Sequence, residues 1–403
     1  MLLCLLIALP AVVARVLGVH PTPLLALVVF GAGVVAASFV LAWAAEAAEM
    51  DISGGLAIAI LAILAVLPEY AVDLFFAYRA GSDPTYVQYA AANMTGSNRL
   101  LLGLGWSLVV LLSVILASRR SGHTVKAILL ETAHRLELGF LAIASLIAFV
   151  IPVSGQINLI IGSVMLGVFA FYLVRVAGSS RGEEPDLVGP AALVGALPTA
   201  RRRGAVIAMF VLAALVIILS AEPFAEALVE SGRLLGVDQF LLVQWLAPLA
   251  SEAPEFIVAI LFAVRGKASA AIGLLISAKV NQWTLLIGSL PVAYLIGGGN
   301  GTLVLDVRQV EEVLLTACQT VLGVAVLLAL RFPRWAAVAL LGLFAVQFAV
   351  PGTHGRLIIS GVYVVLAAGA TIHHRRHILP TLLAPFRRTP AAQPEARRAM
   401  VDA

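Results

Sequence analysis

The sequence predicts an all-α polytopic membrane protein with two inverted five-helix repeats and about 10–12 transmembrane helices. Three observations predict this class: the composition, the distribution of basic residues between loops, and an internal repeat. Hydrophobic residues make up 61% of the chain and charged residues 12%, which is about half the charged fraction of a soluble protein. Apolar stretches long enough to cross a bilayer recur along nearly the whole length. This composition excludes a soluble globular domain.

The apolar stretches define the candidate spans. The predicted spans are 1–19, 24–48, 54–80, 85–118, 127–153, 156–177, 204–230, 238–264, 268–297, 309–330, 334–350 and 356–372. The first span contains Pro10, and Arg15 follows its apolar stretch, which is the wrong order for a cleaved signal peptide. We therefore expect a retained helix there. The predicted domains are an extra N-terminal helix at 1–23, a first repeat at 24–177, a connector at 178–203, a second repeat at 204–350, an extra C-terminal helix at 351–372 and a basic tail at 373–403.

Basic residues are divided unevenly between alternate loops. Of the 26 Lys and Arg residues, 18 fall in one set of loops, 5 in the other set and 3 inside spans. Because cytoplasmic loops retain basic residues, the rich set predicts the cytoplasmic face, with both termini on that side. The net charge of +4 is no nucleic-acid footprint, because the basic residues stand at helix ends. The Arg-rich, Lys-poor composition favours a bacterial plasma membrane, and membrane lipids are an expected partner of the basic tail.

Two segments 186 residues apart resemble each other. Residues 68–79 and 254–265 are identical at six of twelve positions, including Pro-Glu at the start and an arginine at the end. The segments are five predicted spans apart, and an odd number of spans reverses the direction of a helix. This pattern predicts the inverted repeats found in many secondary transporters.

Each Pro-Glu pair puts a carboxyl group inside an apolar span. An acid at the centre of a membrane helix costs roughly 2.5 to 3.5 kcal/mol and is a functional-site hypothesis by default. The preceding proline removes a backbone donor and frees a carbonyl, so oxygens suited to Na⁺ or Ca²⁺ gather there. We predict that Glu69 and Glu255 are the metal ligands and that either carries a proton. The alternative is a helix kink with a hydrogen-bonded carboxyl group.

Other polar side chains cluster around the Pro-Glu pairs in sequence. Hydrocarbon tolerates such polar runs only where they face the protein interior, although interhelical hydrogen bonding is an alternative role. The predicted ion-binding residues are Glu69, Asp73, Asn93, Ser97, Asn98, Ser251, Glu252, Glu255, Lys279, Asn281 and Gln282.

These motifs resemble those of the cation/Ca²⁺ exchanger superfamily, which contains Na⁺/Ca²⁺ and H⁺/Ca²⁺ antiporters. In that family a Gly-Thr-Ser-x-Pro-Glu helix precedes a Gly-Asn-x-x-Gly-Ser-Asn helix in each repeat. Here Pro68-Glu69 and Pro254-Glu255 match the Pro-Glu cores, and residues 93–98 match the second motif. The resemblance implies five spans per repeat and an ion site midway through the membrane. The chain departs from the pattern at Ala65-Val66, at Ser251-Glu252 and in the second Asn-rich motif.

Lys279 stands where the family has the second asparagine of that motif, when positions are counted from Glu255 without gaps. A lysine there is predicted to occupy the place of a cation and to neutralise Glu69, Asp73 or Glu255. Fewer ions would then bind, which favours a monovalent ion or proton exchange. The alternative is a lysine that snorkels towards the cytoplasm. Arg99 raises the same question in the first repeat.

The resulting functional prediction is a secondary active cation antiporter that exchanges Ca²⁺, Na⁺ or H⁺ by alternating access. It is not an enzyme, and its partners are inorganic cations rather than nucleic acid or a cofactor. No Gly-x-x-x-x-Gly-Lys-Ser/Thr loop and no His-Glu-x-x-His motif is present, which disfavours a primary pump and a metalloprotease. The alternatives are a Na⁺/H⁺ exchanger in which Lys279 replaces a bound cation, and an intramembrane enzyme or lipid-handling protein. The sequence does not indicate an oligomeric state.

Overall fold

A computed structural model gives the fold as a bundle of long helices. It describes residues 1–48, 50–51, 66–177, 187, 189–350 and 352–387. The first part of the predicted span 54–80, together with Ala65, lies outside the described residues. Helix α1 (Leu2–Val16) precedes the first repeat and packs against it.

The first repeat contains five consecutive membrane segments. Its elements are α2 (Pro23–Ala48), α3 (Leu67–Ser82), α4 (Val87–Leu100), a π-helical turn (Leu101–Trp106), α5 (Ser107–Ser121), β1 (Ala127–Leu129), α6 (His134–Ala148), α7 (Val150–Ser154), β2 (Gln156–Asn158) and α8 (Leu159–Ala177). A short helix, α9 (Pro190–Gly195), follows within the predicted connector.

The second repeat follows the same order. Its elements are α10 (Thr199–Leu235), α11 (Gln239–Ser251), α12 (Ala253–Val264), α13 (Ala268–Asn281), a π-helical turn (Gln282–Leu286), α14 (Ile287–Ile296), β3 (Thr302–Val304), α15 (Val307–Leu327), β4 (Arg331–Pro333) and α16 (Arg334–Ala349). Two further helices end the described chain, α17 (Thr353–His373) and α18 (Ile378–Leu383).

The lengths of the helices fit a membrane protein. Eight helical segments of the described chain are long and apolar enough to cross a bilayer, and α11 with α12, bent by 54°, makes a ninth. Helices α1 and α16 are shorter apolar helices, and α3 completes the set of predicted spans. The prediction of an all-α polytopic fold with two inverted repeats is confirmed. The predicted domain limits stay a prediction, and α18 shows that part of the tail is helical.

Four short strands, which the sequence analysis did not predict, join the two repeats. Strand β1 pairs antiparallel with β4, and β2 pairs antiparallel with β3. Strands β3 and β4 each stand 175 residues after their counterparts, 127 to 302 and 156 to 331. Because α6 runs from β1 to β2 while α15 runs from β3 to β4, these pairings make the two helices antiparallel. The strands thus mark two ends of the bundle, the β1–β4 end and the β2–β3 end.

The first helices of the two repeats, α2 and α10, pack along each other. A Cβ atom on Gly31 of α2 would lie 2.9 Å from the Phe224 ring of α10, so the helices approach closely at this glycine. At the β1–β4 end, Arg202 donates to both carboxylate oxygens of Asp51 at 2.6 and 2.8 Å. At the β2–β3 end, Arg15 of α1 pairs with Glu222 of α10. These ion pairs tie α10 to the segment that follows α2 at one end of the bundle and to α1 at the other.

Candidate ion-binding site between the two Pro-Glu helices

Both Pro-Glu pairs stand in the first turn of a helix. Pro68 is the second residue of α3 and Pro254 the second residue of α12, so each proline occupies a position where its missing N–H costs no hydrogen bond. Glu69 and Glu255 follow in the first turn, where the helix dipole favours a negative charge. Each acid thus stands at the start of a helical segment, and in the second repeat this start lies inside the bent span that α11 and α12 form together. In the second repeat, the helix break falls at Glu252, between α11 and α12.

Four carboxyl groups gather where these helix starts meet. Glu69, Asp73 and Glu252 are buried, and Glu255 is partly buried. Glu69 interacts electrostatically with the other three. Five of their oxygens are buried and make no hydrogen bond: Glu69 Oε1, Asp73 Oδ1 and Oδ2, Glu252 Oε2, and Glu255 Oε2. Since a buried charge without a partner is costly, these groups need a cation or a proton.

Amides and a hydroxyl group surround the carboxyl groups. Ser97 lies next to Glu69 and Glu252, and Asn93 lies next to Asp73. The Ser97 hydroxyl and both side-chain polar atoms of Asn93 make no hydrogen bond in this arrangement. Gln282 Nε2 donates to Glu252 Oε1 at 2.9 Å. The cluster therefore offers neutral oxygens in addition to the acids, as cation sites require.

Asn281 and Ser251 have different surroundings from the other predicted residues. The backbone oxygen of Asn281 accepts a hydrogen bond from the Tyr70 hydroxyl at 3.1 Å, which ties α13 to α3, while its Oδ1 is buried without a partner. The Ser251 hydroxyl donates to the Ala247 carbonyl at 3.2 Å, one turn earlier in α11. The Ser251 hydroxyl thus donates its hydrogen bond within its own helix, and its oxygen lone pairs stay available to bind a cation.

Lys279 is completely buried within the cluster. Its Nζ donates to Asn98 O at 2.7 Å and to Asn98 Oδ1 at 3.1 Å. It also interacts electrostatically with Glu252 and Glu69. Asn98 and Lys279 each stand three residues before a π-helical turn, so they occupy equivalent positions in the two repeats. The snorkelling alternative is wrong for this residue, because its ammonium points into the protein.

Arg99 does not reach the four carboxyl groups of the site. Its guanidinium pairs with Glu312 of α15 at 2.5 Å and lies 5.0 Å from the centre of the Trp245 ring. A second polar cluster therefore stands behind α4, and the sequence analysis did not find it. The adjacent acids Glu311 and Glu312 inside the predicted span 309–330 were the available signal.

The glycine of the Asn-rich motif has a packing reason. A Cβ atom on Gly96 would lie 1.7 Å from the carbonyl oxygen of Gln244, so α4 and α11 meet backbone to backbone at this point. This approach brings the polar face of α4 next to the helix that ends at Ser251. Both polar runs are followed by a π-helical turn, a feature frequent at functional sites.

The carboxyl groups do not form a preassembled metal cage. Within the described residues, no three His, Cys, Asp or Glu side chains converge as metal ligands. Ca²⁺ takes six to eight oxygen ligands, so tight coordination requires Glu69, Asp73, Glu252 and Glu255 to move closer together or to recruit the amides and backbone oxygens. Such movement fits a site between two bundles that rock against each other.

Comparisons with known proteins agree with this architecture. The family model described as sodium/calcium exchanger protein matches residues 22–178 and 205–351. A crystal structure of an H⁺/Ca²⁺ exchanger, CAX, is 44% identical with a TM-score of 0.90, covering 96% of each chain. No match was found among curated proteins.

Two further solved structures share the fold at low sequence identity. Native YfkE is 16% identical with a TM-score of 0.59, covering 91% of this chain and 99% of that one. The sodium–calcium exchanger NCX_Mj is 17% identical with a TM-score of 0.52, covering 86% and 100%. The chain is therefore a multi-pass membrane protein, a transporter rather than an enzyme, and it belongs to the sodium/calcium exchanger family of cation antiporters.

Proposed function

We propose that this antiporter exchanges Ca²⁺ for H⁺ at the cluster of Glu69, Asp73, Glu252 and Glu255. The observation that carries the proposal is the set of buried carboxyl oxygens without hydrogen-bond partners at the junction of the two repeats. The 44% identity to a protein described as an H⁺/Ca²⁺ exchanger supports this choice of ions.

Competition for the same oxygens explains the coupling. A carboxylate away from water must be neutralised, either by a bound cation or by protonation. When Ca²⁺ occupies the cluster, the carboxyl groups that bind it are ionised and release their protons. When Ca²⁺ leaves, protons neutralise these carboxyl groups, and the site can again switch between facing one side of the membrane and facing the other. Asn93, Ser97, Asn281 and Gln282 supply neutral ligands to the Ca²⁺-bound form.

The proposed orientation places the β1–β4 end in the cytoplasm of a bacterium. The loops at that end hold most of the basic residues outside spans, which the positive-inside rule assigns to the cytoplasm. Both termini then lie inside the cell, the chain crosses the plasma membrane, and the tail contacts lipid headgroups. Thiol labelling of single cysteines at Leu129 and Val304, which stand at opposite ends of the bundle, tests the orientation in intact cells.

Ion flux in proteoliposomes tests the function. A pH gradient is imposed across vesicles loaded with Na⁺ or with choline, and ⁴⁵Ca²⁺ uptake and internal pH are followed. We expect Ca²⁺ uptake that is driven by the pH gradient and is independent of Na⁺. Glu69→Gln and Glu255→Gln are each expected to reduce this uptake at least tenfold, because each removes a carboxylate that binds Ca²⁺.

Glu230→Gln is the matched control, because Glu230 pairs with Arg233 at the end of α10, away from the cluster. It is expected to keep wild-type flux. A folded protein that takes up no Ca²⁺ under any pH gradient would contradict the proposal.

A second candidate, Na⁺/H⁺ exchange, is favoured by Lys279. The buried ammonium near Glu69 and Glu252 supplies one positive charge permanently attached to the chain, which lowers the number of charges that mobile ions must bring. Under this candidate, vesicles move Na⁺ against H⁺ and take up no ⁴⁵Ca²⁺. Lys279→Ala removes the tethered charge and is expected to raise the selectivity for divalent ions. Unchanged selectivity in Lys279→Ala would contradict the tethered-cation role.

A further inference from the structure

A second buried cluster of charges lies behind the ion-site helix α4, and we name it the Arg99–Arg356 cluster. It consists of Arg99 on α4, Glu311 and Glu312 on α15, and Arg356 on α17, with Gln244 of α11 beside it. Arg356 Nη1 lies 3.3 Å from Glu311 Oε2, and its Nε lies 2.7 Å from Glu312 Oε1. Arg99 Nη2 lies 2.5 Å from Glu312 Oε2.

The cluster is closed to solvent and electrically balanced. The side chains of Arg99 and Glu312 are each 3% exposed, that of Glu311 is 6% exposed and that of Arg356 is 16% exposed. Two arginines face two glutamates, so no net charge is buried. Removing one member of such a group leaves another charge without a partner, which costs far more than the pair contributes.

The Arg99–Arg356 cluster contacts α4 and α11, the helices that carry several of the predicted ion ligands. On α4, Thr95 and Arg99 are one turn apart and share one face of the helix. Asn93 and Ser97 are also one turn apart and share a different face. The two faces are separated by roughly 200° of rotation about the helix axis. Gln244 Nε2 donates to Thr95 Oγ1 at 3.1 Å and to Glu312 Oε2 at 3.2 Å.

Gln244 also connects the cluster to the helix break of the second repeat. It lies on α11 seven residues, or two turns, before Ser251, and therefore on the same face of that helix. Through Thr95, Arg99 and Gln244, the cluster thus fixes the rotation of α4 and the position of α11, and with them two sets of predicted ion ligands.

Arg356 comes from outside the two repeats. Helix α17 follows residue 351, where the family match ends. By the 175-residue spacing of the strands, the first-repeat equivalent of Glu312 is Glu137. Glu137 is held by His134 of its own helix, at 2.8 Å. The repeat architecture therefore does not require the Arg356 contact.

We propose that Arg356 is a positioning residue for ion transport: through Glu312, which contacts both arginines, it holds Arg99 and thereby sets α4 and its ion ligands in place. This inference rests on the proposed function for its transport readout. It assigns to the C-terminal helix α17 a part in the transport cycle.

The test compares Arg356→Gln with the double variant Arg356→Gln/Glu311→Gln, which restores charge balance. Half-saturating Ca²⁺ and maximal rate are measured separately in proteoliposomes, and thermal melting in detergent reports on folding. We expect Arg356→Gln to raise the half-saturating concentration by about 2- to 30-fold, the range for residues coupled to a distant site, with a smaller change in maximal rate. The double variant is expected to recover most of the loss. Arg375→Gln, at an exposed position just beyond the same helix, is the matched control.

Arg356→Lys covers the case in which Arg356→Gln does not fold. A lysine keeps the charge but lacks the planar guanidinium, which places separate nitrogens against Glu311 and Glu312, so a partial rise in half-saturating Ca²⁺ is expected. Wild-type half-saturation in both Arg356 variants, or no rescue in the double variant, would overturn the proposal.

A readout that does not depend on the transported ion separates the two proposals. Cys318 is buried on α15, six residues after Glu312. We expect faster maleimide labelling of Cys318 in Arg356→Gln and restored protection in the double variant. If no Ca²⁺ flux occurs but this labelling pattern is seen, the proposal that the protein exchanges Ca²⁺ for H⁺ is contradicted, whereas the positioning role of the Arg99–Arg356 cluster is supported. Unchanged labelling in Arg356→Gln would count against the cluster itself.

Discussion

Lys279 and Asn98 show how two equivalent positions of the repeats acquire different chemistry. Each precedes a π-helical turn by three residues, and the two side chains contact each other across the interface between the repeats. In a strictly symmetric site, both positions would supply amide oxygens to an ion. Here the lysine takes the oxygens of Asn98 for itself, which removes both residues from the set of free ligands. Of the predicted ion ligands, Asn98 is therefore the one most clearly committed to a protein partner.

Removal of the Asn98 side chain tests this commitment. In Asn98→Ala the buried ammonium keeps the backbone acceptor at 2.7 Å but loses Oδ1. Loss of one hydrogen bond to a buried charged group costs about 1.5 to 3 kcal/mol, so the melting temperature is expected to fall. Asn98→Ala in a Lys279→Met background is the control, and it is expected to cost clearly less. Equal costs in the two backgrounds would show that the contact is energetically unimportant.

At the level of elements, the close approach of α4 and α11 makes Gly96 sensitive to substitution. A Cβ atom there would overlap the Gln244 carbonyl oxygen, which belongs to a rigid helix backbone. Overpacking typically costs about 1 to 3 kcal/mol and occasionally more. We expect Gly96→Ala to lower the melting temperature and the transport rate together, because the helices separate where the ion ligands meet.

Gly167→Ala is the matched control for Gly96→Ala. Gly167 also lies within a helix, α8, but a Cβ atom there would meet nothing within 4 Å. Since alanine favours a helix by about 1 kcal/mol over glycine, this variant is expected to be as stable as the wild type or more so. Similar losses in both variants would show that close helix approach is not the reason for the glycine.

The ion pair at the β1–β4 end gives a pH dependence that is checkable by melting. Arg202 binds Asp51 through two hydrogen bonds, which lower the pKa of Asp51 below its ordinary value. A carboxyl group with a lowered pKa in the folded state stabilises it above its unfolded pKa, and this contribution is lost as the pH falls through the folded pKa. Arg202→Gln is therefore expected to melt earlier than the wild type at neutral pH, and the difference is expected to shrink in acid.

Arg201→Gln provides the comparison, because Arg201 is the exposed neighbour in the same basic run. Its melting temperature is expected to stay near that of the wild type at every pH. A constant difference for Arg202→Gln across the pH range would show that the pairing with Asp51 is not its cause.

At the level of the whole molecule, the strand pairs give a direct test of the inverted arrangement. Leu129 of β1 stands opposite Arg331 of β4, and opposite residues in antiparallel strands have Cα atoms about 4.5 to 5.5 Å apart, within reach of a disulfide. After replacement of Cys4 and Cys318, we expect Leu129→Cys/Arg331→Cys to cross-link under mild oxidation. Leu129→Cys/Val304→Cys, with its partners at opposite ends, is expected to stay reduced.

Transport by the oxidised Leu129→Cys/Arg331→Cys protein carries further information. If the strand-paired helices remain together during the cycle, flux continues with the disulfide closed. If flux stops on oxidation and returns on reduction, the β1–β4 end opens in each cycle.

The architecture could be predicted from the sequence more fully than the contacts between side chains or between strands. Composition, basic residues and the Pro-Glu repeat predicted the membrane spans and the inverted repeats, because each is a local signal with a fixed spacing. Strand β1 and its partners escaped notice because three-residue strands in interhelical loops have no periodicity to read. The pairing of Glu312 with Arg99 and Arg356 escaped for another reason: Arg99 lies 213 residues before Glu312 and Arg356 lies 44 residues after it, on another helix, and only the folded structure brings them together.

The strand pairs also bear on how the protein is made. Strand β1 leaves the ribosome near residue 127, and its partner β4 ends at residue 333. At ordinary rates of synthesis this gap lasts on the order of tens of seconds. Throughout that time the first repeat stands in the membrane with the hydrogen-bonding edge of β1 unmatched, and β2 waits in the same way for β3 at residues 302–304. Final assembly therefore waits for the second half of the polypeptide, and a nascent chain arrested at the connector would expose strand edges for quality-control proteases to recognise.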